Sequence, residues 1–273
     1  MITWSFPCQD ISRAGKWKGI TQGNRSNLCW PTIDLISKMD KKPKYLLMEN
    51  VKNLITDFSD DFQSLKFELE KLGYYNLVLV MNSKNYGIPQ NRERVFMISS
   101  KNLDQLYKYK LPEHLELKTT LQDLLQSINE IDNYYYLNPK NWKVAFGYVE
   151  KFQISEWEYV NKKISNCLLT KDPKSLRIST TLIIYEKDRN EQLLLLQIKN
   201  NGYSLFPIEI DHTQFRVLTE KECWRLMGFE DSDFEKASKV VSRRQLYKQA
   251  GNSIVVPVLE AIFKELFKNE IIK

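Results

Sequence analysis

The sequence is short of the side chains on which much enzyme chemistry rests. Its 273 residues hold two histidines, His114 and His212, which argues against a histidine base or a His-rich metal site. Its four cysteines, Cys8, Cys29, Cys167 and Cys223, lie far apart and form no Cys-x-x-Cys pair. That spacing speaks against a structural zinc site and against a disulfide framework, so no metal is expected. No stretch approaches the ~18–20 uninterrupted apolar residues of a membrane helix. The first residues carry no basic-then-apolar leader. The expected setting is cytoplasmic, with no membrane partner. Internal repeats and low-complexity linkers are absent from the sequence as well.

What is present suits a globular protein. Hydrophobic residues make up 42% and charged residues 27%, enough for a sizeable core in one large domain or two modest ones. The formal net charge of +6 fits a polyanion partner such as nucleic acid, or simply an abundance of lysine. Charge alone does not choose between them.

The first hundred residues alternate strand and helix signals. Short apolar runs at 2–6, 44–48, 77–82 and 94–99 read as strands. Helical spacing occupies 28–39 and 60–72, where Phe62, Leu65, Leu69 and Leu72 share one face and Gly73 stops the helix. Strands separated by helices predict a parallel α/β sheet. From 100 to 214 the alternation is lost. Aromatic clusters (Tyr134-Tyr135-Tyr136, Trp142, Phe146, Tyr148, Trp157, Tyr159) mix with lysines and a β-prone run at 178–185. Helices return after Val217: Thr219 and Glu222 have capping-box spacing, Gly228 ends that helix, and 254–267 is amphipathic with Pro257 in its first turn. The expected division is therefore 1–99, 100–214 and 215–273.

Three stretches carry chemistry. Phe6-Pro7-Cys8-Gln9 ends the first strand. A lone cysteine is most often a small buried hydrophobe, but Pro7 stops the strand and presents Cys8 on a rigid turn. The loop after it, Ser12-Arg13-Ala14-Gly15-Lys16-Trp17-Lys18-Gly19, brings cations that favour a thiolate, unless it is only a solvated turn. Glu49-Asn50-Val51 follows the second strand, at the carboxyl edge where open α/β sheets bind ligands. Burial there favours a protonated Glu49; a helix-capping pair is the plainer reading. In Gln90-Asn91-Arg92-Glu93-Arg94 the two arginines are two residues apart before an apolar run, and on a strand they would share a face. Two guanidiniums on one face suit an anionic or carbonyl-rich ligand, or else a surface pair with nearby acids.

In this order the three stretches resemble the active-site motifs of DNA cytosine-5 methyltransferases. Arg216-Val217-Leu218-Thr219, with Glu222, Arg225-Leu226 and Gly228-Phe229, is similar to a further block of that family, and Gln249-Ala250-Gly251-Asn252-Ser253 to its last. The resemblance implies an α/β fold. Its core would be an incomplete Rossmann-like S-adenosylmethionine-dependent methyltransferase sheet, with a smaller, irregular α+β or β target-recognition domain over 100–214. It implies a site-specific enzyme of restriction-modification type acting on double-stranded DNA, whose target base must be flipped out of the duplex. Cys8 would add to the cytosine ring, with Glu49, Arg92 and Arg94 as its catalytic partners. Pro7, Leu28, Asn252 and Ser253 would contact the donor, S-adenosylmethionine. Gln9, Lys16, Lys18 and Arg25 would contact DNA.

The family normally begins with a Phe-x-Gly-x-Gly turn and further acidic residues that build most of the donor pocket. None of these precedes Cys8 here. The expectation is that a second polypeptide supplies those strands. A truncated gene or a misassigned start is the other reading, and a non-catalytic DNA-binding remnant is the alternative from a different class. A thiol hydrolase is disfavoured because both histidines lie outside the matching blocks.

Overall fold

The computed structural model describes residues 1–12, 18–21, 25–136, 163–171, 182–186 and 213–268. The chain divides into two compact units. One comprises Met1–Tyr86, Glu93–Leu115 and Val258–Lys273; the other comprises Gly87–Arg92 and Glu116–Pro257.

The first unit is built on a four-stranded sheet of order β1-β2-β4-β3. Its strands are β1 (Ile2–Ser5), β2 (Tyr45–Val51), β3 (Tyr75–Asn82) and β4 (Glu93–Ser100). β1 pairs parallel with β2, whereas β4 runs antiparallel to both β2 and β3. The wholly parallel sheet expected from the alternation is thus corrected to a mixed one. The reason lies in the connections. α1 (Cys29–Ser37) separates β1 from β2, and α2 (Asn53–Thr56) with α3 (Ser59–Lys71) separates β2 from β3, so helical crossovers keep those three strands codirectional. Only a 3-10 turn, Ser83–Tyr86, and a short coil join β3 to β4. A link without a crossover helix returns the chain antiparallel.

One core cluster lies against one face of this sheet. Phe62, Leu65 and Leu69 of α3 and Ile33 and Ile36 of α1 are buried with Leu46, Met48, Val95 and Met97 of the strands. Each such side chain contributes about 1.5–3 kcal/mol by leaving water. β2 is buried over its first six residues, as a central strand covered on both faces must be. After α3 the chain turns at Gly73, where φ is +81°, a conformation that favours glycine. α4 (Leu103–Lys108) follows β4, with Asn102 as a side-chain N-cap.

In the second unit β5 (Leu182–Glu186) pairs antiparallel with β6 (Thr213–Val217). The helix Glu220–Arg225 begins with the capping box expected from Thr219 and Glu222. Glu222 also receives both terminal nitrogens of Arg216 at 2.8 Å, a buried two-pronged pair. Gly228, at φ +81°, ends this stretch. Helices Asp231–Ser238 and Arg243–Asn252 follow, and Val256–Phe267, which belongs to the first unit from Val258 onward, completes the described chain. Among the described residues no helix is long and apolar enough to cross a membrane.

Candidate active site

The site in the first unit starts from strand register. Ser5 stands opposite Glu49 across the parallel β1–β2 pair. Its hydroxyl donates to Glu49 Oε2 at 3.1 Å. On the other side of β2, Glu49 faces Phe96 and Val51 faces Arg94. Glu49 and Arg94 are therefore diagonal neighbours on one face, close enough for long side chains to meet. Arg94 Nε lies 3.2 Å from Glu49 Oε1, with side chains only 16% and 8% exposed. The carboxylate is thus held from two sides, by a hydroxyl and by a guanidinium.

Asn50 points the opposite way along β2 and does a different job. Its Nδ2 donates to the carbonyl of Phe6 at 3.0 Å, fixing the strand end from which the Pro7-Cys8 turn departs. From the far side the Ser26 hydroxyl donates to the Pro7 carbonyl at 2.6 Å. Cys8 opens a single 3-10 turn, Cys8–Asp10, and its carbonyl accepts from the amides of Ile11 and Ser12. The Cys8 side chain is half-buried. Cys29 differs: it is fully buried, and loss of hydration pushes its thiol up to about 12. It holds essentially no thiolate at neutral pH. Of these two thiols only Cys8 stands at a strand end with access to solvent.

The predicted DNA-contacting residues fall partly around this turn. Arg25 is exposed, and its Nη1 donates to Gln9 Oε1 at 3.0 Å. The Lys18 side chain is exposed while its amide donates to the Asp10 carbonyl at 2.7 Å. Lys16 lies outside the described residues. Pro7 is half-buried at the carboxyl end of β1, and Leu28, immediately before α1, is 50% exposed.

The remaining predicted residues belong to the second unit. The shared strand face expected for Arg92 and Arg94 does not form, because β4 begins at Glu93 and leaves Arg92 outside it. Arg92 is 3% exposed. Its Nη2 donates to the carbonyls of Gly251 and Ser253, both at 2.9 Å, and its Nη1 donates to the carbonyl of Leu168 at 3.2 Å. Gln90 complements it: Nε2 donates to the Leu226 carbonyl at 2.7 Å and Oε1 accepts from the Leu168 amide at 3.0 Å. The two side chains tie three distant segments together. Gly251 is needed there, since a Cβ would fall 2.4 Å from the Leu169 carbonyl oxygen. Asn252 is exposed at the end of its helix, and Ser253 is half-buried.

Two of the aromatics singled out in the sequence are used inside this unit. The Tyr135 hydroxyl donates to Glu220, and burial raises its phenol well above the ordinary range. Arg243 lies over the Tyr134 ring at 4.0 Å. Trp142, Phe146, Tyr148, Trp157, Tyr159 and part of the 178–185 run lie outside the described residues. Among the described residues no group of three or more His, Cys, Asp and Glu could hold a metal. Sequence reasoning missed Ser5, Asp10 and Ser26. For Ser5 a signal was available, since a parallel pairing of two strands that both end at their motifs places it opposite Glu49.

A family model described as C-5 cytosine-specific DNA methylase matches residues 1–268. The type II methyltransferase M2.ScrFI of Lactococcus lactis subsp. cremoris is 40% identical over 272 residues, covering 98% of this chain and 67% of that protein. M.HhaI, a type II methyltransferase of Haemophilus parahaemolyticus, is 31% identical over 265 residues, 94% of this chain and 72% of its own length. Among solved structures, the Entamoeba histolytica methyltransferase EhMeth superposes with a TM-score of 0.70 at 17% identity, covering 98% of this chain and 77% of that one. The Dnmt2 methyltransferase of S. pombe gives 0.66 at 19% identity, covering 98% and 78%. At that level of identity the structures show the fold.

Proposed function

This chain belongs to the C-5 cytosine-specific DNA methylase family, whose methyl donor is S-adenosylmethionine, and on that premise we propose that it methylates carbon 5 of a flipped-out cytosine in double-stranded DNA through a covalent Cys8 adduct. The observation that carries the reading is the arrangement around β2, where Ser5 and Arg94 grip Glu49 and Asn50 anchors the strand end leading to Cys8.

The chemistry follows from what these groups can do. Cytosine carbon 5 is a weak nucleophile. Addition of the Cys8 thiolate to carbon 6 breaks the 5,6 double bond and moves its electron pair toward carbon 5 and the ring nitrogen. Glu49 is the group to hold a proton at that nitrogen, and Arg94 the one to donate to the ring carbonyl, so that charge develops against preset donors. S-adenosylmethionine, when bound, supplies the methyl group that carbon 5 takes. Loss of the carbon-5 proton to a base then restores the double bond, and Sγ leaves carbon 6 as thiolate. For Arg92 the proposed role is positioning: its bonds to the carbonyls of Leu168, Gly251 and Ser253 support a part in holding the 251–253 segment.

The candidate donor contacts fit the group in kind. Leu28 is an apolar side chain left half in solvent, and Ser26, two residues before it, is bonded to Pro7 at the end of β1. Asn252 offers an exposed amide for the donor's polar part. Among the described residues β1 has a strand on one side only. We propose that its outer edge takes further strands, from a second polypeptide or a longer form of this one, and that these complete the pocket.

The test is transfer of a labelled methyl group from S-adenosylmethionine to mixed-sequence duplex DNA, with and without a polypeptide supplying the outer strands, and with Cys8→Ala as control. Transfer that disappears in the control supports the reading. Transfer that survives Cys8→Ala overturns the adduct. DNA binding without transfer, even with the added strands, would favour the non-catalytic remnant.

A further inference from the structure

Asp10 is a buried acid that the chemistry above does not use. It follows Gln9, two residues after the nucleophile, and is 3% exposed. A carboxylate is rarely buried without a purpose that offsets its desolvation. Here Oδ2 accepts from the backbone amides of Arg25 at 3.0 Å and Ser26 at 3.1 Å. The Asp10 carbonyl accepts from the amides of Lys18 at 2.7 Å and Gly19 at 3.2 Å. One residue therefore binds, through its side chain and its main chain, two segments that follow it by 8 and by 15 or more positions. Nearby, Asp61 continues the pattern: its Oδ2 accepts from the Ile20 amide at 2.5 Å and its Oδ1 from the Thr21 hydroxyl at 2.7 Å.

The consequence falls on Arg25. Three positions flanking the nucleophile, 7, 9 and 10, take bonds from residues 25 and 26. The Pro7 carbonyl receives the Ser26 hydroxyl, Gln9 Oε1 receives the Arg25 guanidinium, and Asp10 receives both amides. The Arg25 side chain is exposed, yet its backbone is fixed and its Nη1 is oriented on the residue beside Cys8. A guanidinium held in this way, with planar donors still facing solvent, suits a phosphate oxygen of the DNA backbone.

We propose that Asp10 is a positioning residue that orients Arg25 to contact a single DNA phosphate next to the nucleophile turn. The inference rests on the DNA-modifying reading above. It concerns the backbone contact and not the bases, because a guanidinium fixed by one side chain to Gln9 carries no sequence information of its own. Asp10 itself touches neither DNA nor the cytosine.

The experiment measures duplex DNA affinity of the full chain, with S-adenosylmethionine present, across a salt series. Each phosphate contact adds about one unit to the slope of log affinity against log salt. Arg25→Ala and Asp10→Ala should each lower the slope by about one, and the double variant should be no weaker than either single one. Asp10→Asn keeps an oxygen able to accept from both amides and should restore the parent slope. Hydrogen exchange of the Arg25 and Ser26 amides, measured without DNA, checks the contact directly: protection should be lost in Asp10→Ala and largely kept in Asp10→Asn. An Asp10→Ala variant that weakens binding with an unchanged slope, or effects that add in the double variant, would overturn the proposal. If the parent chain binds no DNA even with a polypeptide supplying the outer strands, the reading beneath it fails, while the exchange result still decides whether Asp10 holds residues 25 and 26.

Discussion

Arg92 and Arg94 stand two positions apart in one motif, yet they are built into the protein in opposite ways. Arg94 sits within β4; its Nη1 donates to the carbonyl of adjacent Glu93 at 2.7 Å, and across the sheet its Nε meets the carboxylate of Glu49 on the neighbouring strand. Arg92 sits before β4 begins, and it bonds the backbone carbonyls of Leu168, Gly251 and Ser253, which come from distant parts of the chain, with Cys167 Sγ 3.5 Å from its Nη1. A guanidinium on a carboxylate at a sheet edge can exchange that contact for a substrate's carbonyl. A guanidinium satisfied by three main-chain oxygens is committed to holding the chain in place. Identical side chains two residues apart thus take different surroundings, one beside a carboxylate within the sheet and one among distant backbone carbonyls, and the difference is set by where the strand starts.

Substitution at each arginine should separate the two roles. The largest effect is expected for Arg92→Ala, which leaves buried carbonyls without their charged donor. It should lower stability by about 3–5 kcal/mol, read as a shift in the urea midpoint. A variant with the parent midpoint and no methyl transfer would instead return Arg92 to the catalytic group. Arg94→Lys comes next. It keeps the charge beside Glu49, so the fold should stay within about 1 kcal/mol of the parent, but the planar donor is lost. Methyl transfer should fall by roughly 10²-fold, the usual consequence of removing one preset donor. An Arg94→Lys variant with full kcat would place the ring-carbonyl contact elsewhere.

The same contrast explains what could be read from the sequence. Residues whose role depends on local pattern were legible. The four strands, α1 and α3 follow from apolar spacing, and the Thr219–Glu222 capping box from two residues three apart. Glu49 could be placed at a strand's carboxyl end because a buried run precedes it. The direction of β4 was misread although its cue was present, since the β3–β4 link has no room for a crossover helix. Asp10, Gln90 and Arg92 were of another kind. Asp10 sits in a polar stretch that resembles a surface turn, and its partners come from residues 18–26. Arg92 is fixed by carbonyls about 75 and 160 positions later in the chain. Main-chain oxygens leave no mark in a sequence, so a side chain that binds them looks free.

Gly251 gives a finer probe of the Arg92 region. Its carbonyl accepts from Arg92, and the backbone at Leu169 and Thr170 passes so close that a Cβ would meet main-chain atoms at 2.4–2.6 Å. Backbone cannot rotate away as a side-chain tip can. Gly251→Ala should therefore lower stability by about 1–3 kcal/mol, less than loss of Arg92 itself. If the Arg92 contacts and this close approach form one assembly, combining Gly251→Ala with Arg92→Ala should cost less than the sum of the two. Full additivity in urea unfolding would show that they act separately.

A third arginine calibrates the smallest effect. Arg225 holds Asp231 through two contacts, Nε to Oδ1 and Nη2 to Oδ2, each at 2.7 Å, and Lys221 lies 3.0 Å from the same carboxylate. The pair has the two-pronged geometry that strengthens arginine contacts. Hydrogen bonding from Arg225, with help from Lys221, holds the Asp231 carboxyl well below the ordinary range. Because the folded value is the lower one, the contribution is fully present above the unfolded value of about 4 and is lost progressively as pH falls from there through the lower folded value. Asp231 is 40% exposed, so water and salt screen most of that gain. Asp231→Asn should therefore cost less than about 1 kcal/mol at neutral pH in low salt, and the gap between variant and parent should close as pH drops below about 4. A gap that does not shrink as pH falls from about 4 toward the lower folded value would mean that Asp231 stabilises the helix start at Asp231–Ser238 by something other than its charge. A gap as large as that for Arg92 would erase the distinction between an arginine bonded to buried backbone and one paired at the surface.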